Sequence, residues 1–286
     1  MAQNMIDVKR RIKSVTSTMQ ITKAMELVAT AKLKRARKKL EATKPYFETI
    51  LESITELITH AKGFKHPFID GRKINNTLYI VITSDRGLAG GYNTNICKFV
   101  EEKAKDNERV KVITIGTKGR DYFNRKGFEV VESYIGISEA PSLDFAIDIS
   151  KKIVQMYNEQ EIDEICLAYT KFISTISYEP ICLRLLPIDI EKEKEIEKDY
   201  PVIFRYEPSP ESVLGYLIPK YLNSVIYGAC IESSASESGA RRVAMENATD
   251  NAKDMIEDLQ LLYNRARQAS ITQEISEIVA GADALN

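Results

Sequence analysis

The chain has 286 residues and a formal net charge of −1, with 44% hydrophobic and 28% charged residues. That length accommodates one large or two ordinary domains, and the near-zero charge excludes a chain-wide attraction to nucleic acid or anionic membrane. No apolar run reaches the ~18 residues of a bilayer-spanning helix, and no apolar h-region of a secretory signal is expected at the N-terminus.

The first element predicted is a long helix starting near Gln3. Val8, Ile12, Val15, Met19, Thr22, Glu26, Ala29, Leu33, Ala36 and Leu40 recur at alternating steps of four and three, the seam of a coiled coil. The repeat continues through Phe47, Ile50, Ile54 and Leu57, and Pro45 is expected to kink or interrupt the helix. Met1 to Lys44 carries twelve basic residues against three acidic ones. The run Lys32 to Lys39 reads as a solvated helix face, a patch for nucleic acid or anionic lipid, or a basic shaft inside an acidic partner. Gly63, Pro67 and Gly71 mark a loop. His60 and His66, the only histidines, have no acid or cysteine at ligand spacing, which argues against a metal site.

The period then changes. Leu78–Thr83 is a continuous apolar, β-branched run, as a strand buried on both faces requires. Further strands are predicted at 110–115, 128–134, 164–169 and 182–186. Helices are predicted at 93–106, 118–126 and 142–158. This alternation argues for a parallel-type α/β sheet. Between the first strand and its helix lies Thr83-Ser84-Asp85-Arg86-Gly87-Leu88-Ala89-Gly90-Gly91-Tyr92-Asn93. Glycine-rich turns at helix N-termini can cradle phosphate. This spacing fits neither G-x-G-x-x-G nor a Walker A sequence, so tight strand-to-helix packing is the better reading. Asp85 and Asp121 lie near strand ends, and no nucleophile–base–acid arrangement or G-x-S-x-G elbow accompanies them. Cys97, Cys166, Cys182 and Cys230 lie far apart in apolar contexts and are expected to be buried free thiols of a reducing compartment.

The charged stretch Glu191–Asp199 reads as an exposed loop. Ser209 and Pro210 supply a cap and first-turn proline for a final helix, which Pro219 should kink early. Running to Ala284, that helix would be roughly 110 Å long at ~1.5 Å per residue. Its expected seam is Ala248, Ala252, Met255, Leu259, Leu262, Ala266 and Ala269. Two heptad segments at opposite ends of one chain can meet as an antiparallel pair, with the α/β region at one end of the rod. Arg265, Arg267, Gln268, Thr272 and Gln273 fall on its exposed face or contact whatever surrounds it.

Several blocks resemble the gamma subunit of F-type ATP synthases. They are Ile21-Thr22-Lys23-Ala24-Met25-Glu26-Leu27-Val28-Ala29, the glycine turn at 83–93, Glu232 to Thr249, and Arg265-Ala266-Arg267-Gln268-Ala269-Ser270-Ile271-Thr272-Gln273-Glu274-Ile275. The resemblance covers essentially the whole chain. It implies an antiparallel coiled coil of helices 1–60 and 208–286 with a Rossmann-like α/β domain at 74–190. The implied role is a non-catalytic central rotor with no cofactor or nucleotide site of its own. Its partners would be three alpha and three beta subunits, the epsilon subunit and the membrane ring of c subunits. Carried over by position, Met25, Arg241, Arg267, Gln268 and Thr272 match beta-subunit contacts, and Tyr206 and Glu207 match the foot that meets epsilon and the ring. Arg242 departs from the apolar residue expected beside Arg241. No inserted regulatory cysteine pair of the chloroplast kind is present, and no transit peptide is expected, which favours a bacterial source and a peripheral place on the cytoplasmic face of the cell membrane. Choice of proton or sodium would lie in the ring. Two rivals remain from the residues alone: a nucleotide-binding α/β enzyme with coiled-coil arms, and a nucleic-acid-binding coil using Lys32–Lys39. Aromatic interleaving, which single-strand binding needs, is missing from that patch.

Overall fold

The computed structural model describes residues 2–60, 67–105, 107–139, 141–188, 207 and 210–283. Helix α1 spans Ala2–His60 and α2 spans Pro67–Asp70. The central elements are β1 (Asn76–Ile82), α3 (Tyr92–Ala104), β2 (Arg109–Ile115), α4 (Thr117–Arg125), β3 (Glu129–Tyr134), α5 (Leu143–Asn158), β4 (Glu164–Phe172) and β5 (Tyr178–Leu186). Helix α6 runs from Pro210 to Asp283. The predicted loop Glu191–Asp199, the cap Ser209 and the loop glycine Gly63 lie outside the described residues, as do His66 and the side chain of His60. Among the described residues, no helix is long and apolar enough to cross a membrane, and no cluster of potential metal ligands occurs.

The chain divides into two compact units: Met1–Ala29 with Arg241–Asn286, and Thr30–Ala240. The second contains a five-stranded sheet of order β3-β2-β1-β4-β5. Strands β1 to β4 are parallel. Strand β5 is antiparallel to β4 and follows it through a short hairpin. The alternation of strands and helices foretold the parallel part. It missed the antiparallel edge, because a strand joined by five hairpin residues has no crossover helix to reveal it.

Strand β1 is buried along both faces, which is why its sequence reads as an unbroken apolar run. Leu78, Ile80 and Ile82 face a core layer with Ile149 and Ile153 of α5 and Ile218, Leu222 and Ile226 of α6. Tyr79 and Val81 face the other layer, with Ile96 and Val100 of α3 and Phe123 of α4. Ile50 of α1 joins the first layer. Ser142 caps α5 by accepting the Phe145 N–H. At the N-terminal end of the sheet, Arg72 donates to the Asp163 carboxylate and to the carbonyls of Tyr157 and Ile162, and it stacks 4.5 Å from the Tyr157 ring centroid. Asp163 also accepts the N–H groups of Asn75 and Asn76. Burial opposes its charge, but Arg72 and these donors win and hold its pKa below the ordinary value.

Neither of the prolines expected to kink or interrupt a helix ends one. Helix α1 continues through Pro45 and α6 through Pro219. A proline removes one backbone donor, and a helix of this length tolerates a single such loss. Residues 67–70, read as loop, form the short helix α2.

The C-terminal mouth of the sheet is held by the glycine turn. Asp85 accepts from the Thr117 N–H (3.1 Å) and hydroxyl (3.0 Å), the Gly136 N–H (3.0 Å) and the Ser138 hydroxyl (2.9 Å). One carboxylate therefore ties together the segments after β1, β2 and β3. It also supplies the N-terminal anion that α4 lacks, since its own cap position, Gly116, offers no side chain. Burial raises the cost of that charge, yet the four hydrogen bonds outweigh it and hold the pKa below the usual aspartate range. Beside it, Thr83 Oγ1 donates to the Ile115 carbonyl and accepts the Gly119 N–H. Gly116 sits at φ +101°, where an added Cβ would lie 2.3 Å from the Thr83 carbonyl oxygen.

Gly116→Ala should therefore cost at least ~3 kcal/mol, combining backbone strain with a clash against rigid backbone. Gly127→Ala, at φ +79° but facing open space, should cost only about 1–2 kcal/mol; urea unfolding of both variants measures the difference. Asp85→Asn should lose ~1–3 kcal/mol at neutral pH. The native carboxyl titrates below an unfolded aspartate, so its contribution is complete above the unfolded pKa of ~3.9 and fades as pH falls through the native value. The stability gap between the parent and D85N should accordingly close on acidification.

Candidate functional site

In α/β sheets of this order, ligands enter the crevice at the carboxyl ends of adjacent strands whose connections diverge. Here those strands are β1 and β4, and helix α6 occupies the place. The Tyr92 hydroxyl bonds the carbonyl (3.1 Å) and hydroxyl (2.7 Å) oxygens of Ser233. Ser236 donates to the Thr170 carbonyl at 2.9 Å, and the Phe172 N–H donates to Glu232 at 3.1 Å. Ala240 packs against Ala89 and Tyr92. The small residues of Ser233–Ala240 let the helix approach this closely. The glycine turn is likewise satisfied from within: Asn93 Oδ1 accepts the Ser84 N–H and its Nδ2 donates to Ser84 Oγ. Strand-to-helix packing, rather than a phosphate cradle, is what these residues build.

The second candidate surface is the helix pair of the first unit. Along α1, Val8 and Ala29 are buried, and Ile12, Val15, Met19, Thr22 and Glu26 are half-buried, so the expected four-three seam is the packed face. Thr22 hydrogen-bonds Thr249 of α6 at 2.8 Å. On α6 the packed positions are Met245, Thr249, Ala252, Ile256, Leu259, Tyr263, Ala266 and Ser270. The expected seam shares Ala252, Leu259 and Ala266 with these, and its Ala248 is half-buried too. Its intervening members are off by one: Met255 and Leu262 are each 48% exposed, while Ile256 and Tyr263 turn inward. Both registers obey the heptad spacing, and the more apolar choice in sequence is not the one that packs.

The predicted contact residues divide by exposure. Arg267, Gln268 and Thr272 are exposed on α6, where the Thr272 hydroxyl only returns to the Gln268 carbonyl at 2.9 Å. Met25 is half-buried on α1, and Arg241 is 9% exposed. Arg242 pairs with Glu246 at 3.0 Å, so the departure from an apolar residue is absorbed by an i,i+4 ion pair. Glu207 is exposed, and Tyr206 lies outside the described residues. A row of exposed apolar side chains lies on the same turns as the predicted polar contacts Arg267, Gln268 and Thr272: Ile271 (46%), Ile275 (57%) and Ile278 (71%); on α1, Leu27 (61%) and Val28 (57%) are exposed beside Met25. Their spacing was visible, but only their exposure separates such a row from a buried seam.

In the second unit, Lys32 of the basic run is committed to Glu139 at 2.8 Å. Lys34, Arg35, Lys38 and Lys39 are exposed.

Comparison with known proteins bears directly on this arrangement. The family model described as ATP synthase matches residues 4–285. The ATP synthase gamma chain of Alkaliphilus metalliredigens is 52% identical over 290 residues, covering 100% of both chains. The sodium-ion-specific ATP synthase gamma chain of Acetobacterium woodii is 48% identical over 302 residues, again covering 100% of each. Among solved structures, the central stalk and c-ring of the Tetrahymena thermophila mitochondrial ATP synthase matches with a TM-score of 0.60 and 27% identity, over 80% of this chain and 99% of that one. A chain of the Euglena gracilis mitochondrial ATP synthase, in an OSCP/F1/c-ring assembly, shares the fold with a TM-score of 0.71 at 18% identity, over 100% of this chain and 95% of that one. With the paired terminal helices, the five-stranded sheet and full-length kinship agreeing, the chain belongs to the ATP synthase gamma-chain family.

Proposed function

We propose that the chain is the central-stalk rotor of an F-type ATP synthase, a non-catalytic subunit that couples rotation of the membrane ring to ATP synthesis or hydrolysis in alpha/beta sites. The observation that carries this reading is the full-length kinship to gamma chains at 52% identity. The paired helix ends supply its physical content. Exposed isoleucines at 271, 275 and 278 beside Arg267, Gln268 and Thr272 form a mixed apolar and polar surface. Such contiguous apolar exposure calls for a cover, here the inner wall of the alpha/beta ring.

In this reading helices 1–60 and 208–286 form the shaft and residues 74–190 the base. Arg241, Arg267, Gln268, Thr272 and Met25 meet the beta subunits, while Tyr206 and Glu207 meet epsilon and the ring. A partner shifts a conformational equilibrium only through its differential affinity for the two states. An asymmetric shaft satisfies that condition, because each beta subunit meets a different face. The exposed basic residues at Lys34–Lys39 favour acidic loops of those subunits, an attraction that salt screens. The chain sits at the cytoplasmic face of the cell membrane through the ring; among the described residues no helix is long and apolar enough to span it.

The deciding experiment is reconstitution with matching alpha and beta subunits. A three-alpha, three-beta, one-gamma complex should hydrolyse ATP, and changing Arg267→Ala and Gln268→Ala together should lower turnover by about tenfold, equivalent to ~1.4 kcal/mol of lost coupling. Failure to copurify with folded, competent subunits would reject the reading. In the free chain, limited proteolysis should cut first beyond Ile271, and assembly should protect those sites.

A further inference from the structure

Four cysteines separated by long intervals gave no motif in sequence, but the sheet brings two of them together. Cys166 lies on β4 opposite Arg184, and Cys182 lies on β5 opposite Ala168. They are therefore diagonal neighbours across an antiparallel pair. Both belong to the core layer under α3, near enough for each thiol to influence the other. Cys166 is buried at 8% exposure, whereas Cys182 is half-buried on the edge strand, where a small oxidant can reach it. The charged groups that act on Cys182 are Lys103 of α3 and Glu164 of β4, and Glu164 is itself paired with Arg184 at 2.9 Å.

The four thiols are not equivalent. The Cys166 contact lowers the pKa of Cys182 against the opposing effect of burial, and Lys103 assists. The same contact, together with burial, raises that of Cys166. Burial pushes Cys97 and Cys230 up to about 12. Thiolate content and access together set thiol reactivity, so Cys182 is the attacking member and Cys166 the resolving one.

We propose that Cys166 and Cys182 form a reversible oxidation site that closes to a cross-strand disulfide in response to peroxide. In the first step the Cys182 sulfur attacks one peroxide oxygen. The O–O bond breaks, water leaves, and Cys182 becomes a sulfenic acid. The Cys166 sulfur then attacks the Cys182 sulfur; the S–S bond forms, the S–O bond breaks, and a second water leaves with the Cys166 proton. Two thiols lose two electrons, and one hydrogen peroxide becomes two waters. Diagonal pairs have Cα separations of ~7–8 Å, slightly beyond the ~4.4–6.8 Å of relaxed disulfides. Closure must draw the edge strand inward, and the register shift between Ile165 and Cys166 supplies local slack. A bridge made this way is strained and readily reduced, which suits a switch better than a permanent staple. Its lever is the hairpin whose Thr170 and Phe172 hold α6 through Ser236 and Glu232.

The test treats the reduced, full-length wild-type chain with hydrogen peroxide under native conditions, followed by alkylation and peptide mass mapping. A peptide linked through Cys166 and Cys182, lost on adding glutathione, is the expected product. Cys182 should react at least ~10-fold faster than Cys97 or Cys230. Cys166→Ser should leave Cys182 as a sulfenic acid trapped by dimedone, and Cys182→Ser should abolish the reaction. Four unreacted thiols, prior oxidation of Cys97 or Cys230, or direct passage of wild-type Cys182 to sulfinic acid would each overturn the proposal, and the wild-type mapping decides even if a variant fails to fold.

Discussion

Helix α6 must satisfy two different packing surfaces with one continuous periodicity. In the second unit its residues 218–230 form a core layer against the sheet, and its small residues 233–240 close the sheet's C-terminal mouth. In the first unit its residues 245–270 pair with α1. Bulky side chains at Ser233, Ser236 or Ala240 would hold the helix away from Tyr92 and Thr170, exposing backbone groups that now find partners. The serine- and alanine-rich tract is thus a steric requirement, and its hydroxyls bond where a larger apolar residue could not.

The same closure takes up the crevice in which α/β sheets of this order bind their ligands. The crevice is filled by the chain's own helix. The glycine turn beside it spends its hydrogen bonds internally, through Asp85, Thr83 and Asn93. Asp85 lies beside the N-terminus of α4, a position well suited to an anion, and the protein supplies that anion itself. A rotor needs both a part whose bonds are closed internally and a mixed surface that stays exposed. One resists deformation, and the other offers groups to partners.

The rhythm of Val8 to Leu40 named the packed face of α1 because a two-helix seam depends on spacing alone. The unbroken run Leu78–Thr83 named a doubly buried strand for a similarly local reason. Residues 240–284 revealed a coil but not its register, since Met255 and Ile256 fit the heptad equally and only the facing side chains of α1 choose between them. Resemblance singled out Arg267, Gln268 and Thr272, whose exposure fits a surface role, while the apolar row at Ile271, Ile275 and Ile278 differs from a packed seam in exposure rather than in spacing. Strand β5 was placed but not oriented, because local composition carries no strand direction.

By itself the sequence determined the helices longer than a single turn, the buried strands, the glycine turn and the kinship with gamma chains, all of which follow from local period, residue type or long matching blocks. The tertiary structure alone decided which side chains meet across distance. It brought Asp85 onto Thr117, Gly136 and Ser138, filled the sheet's mouth with Ser233–Ala240, and set Cys182 beside Cys166. Those outcomes depend on strand order and register, which arise from the packing of whole faces against one another and leave no mark on the spacing of residues along the chain.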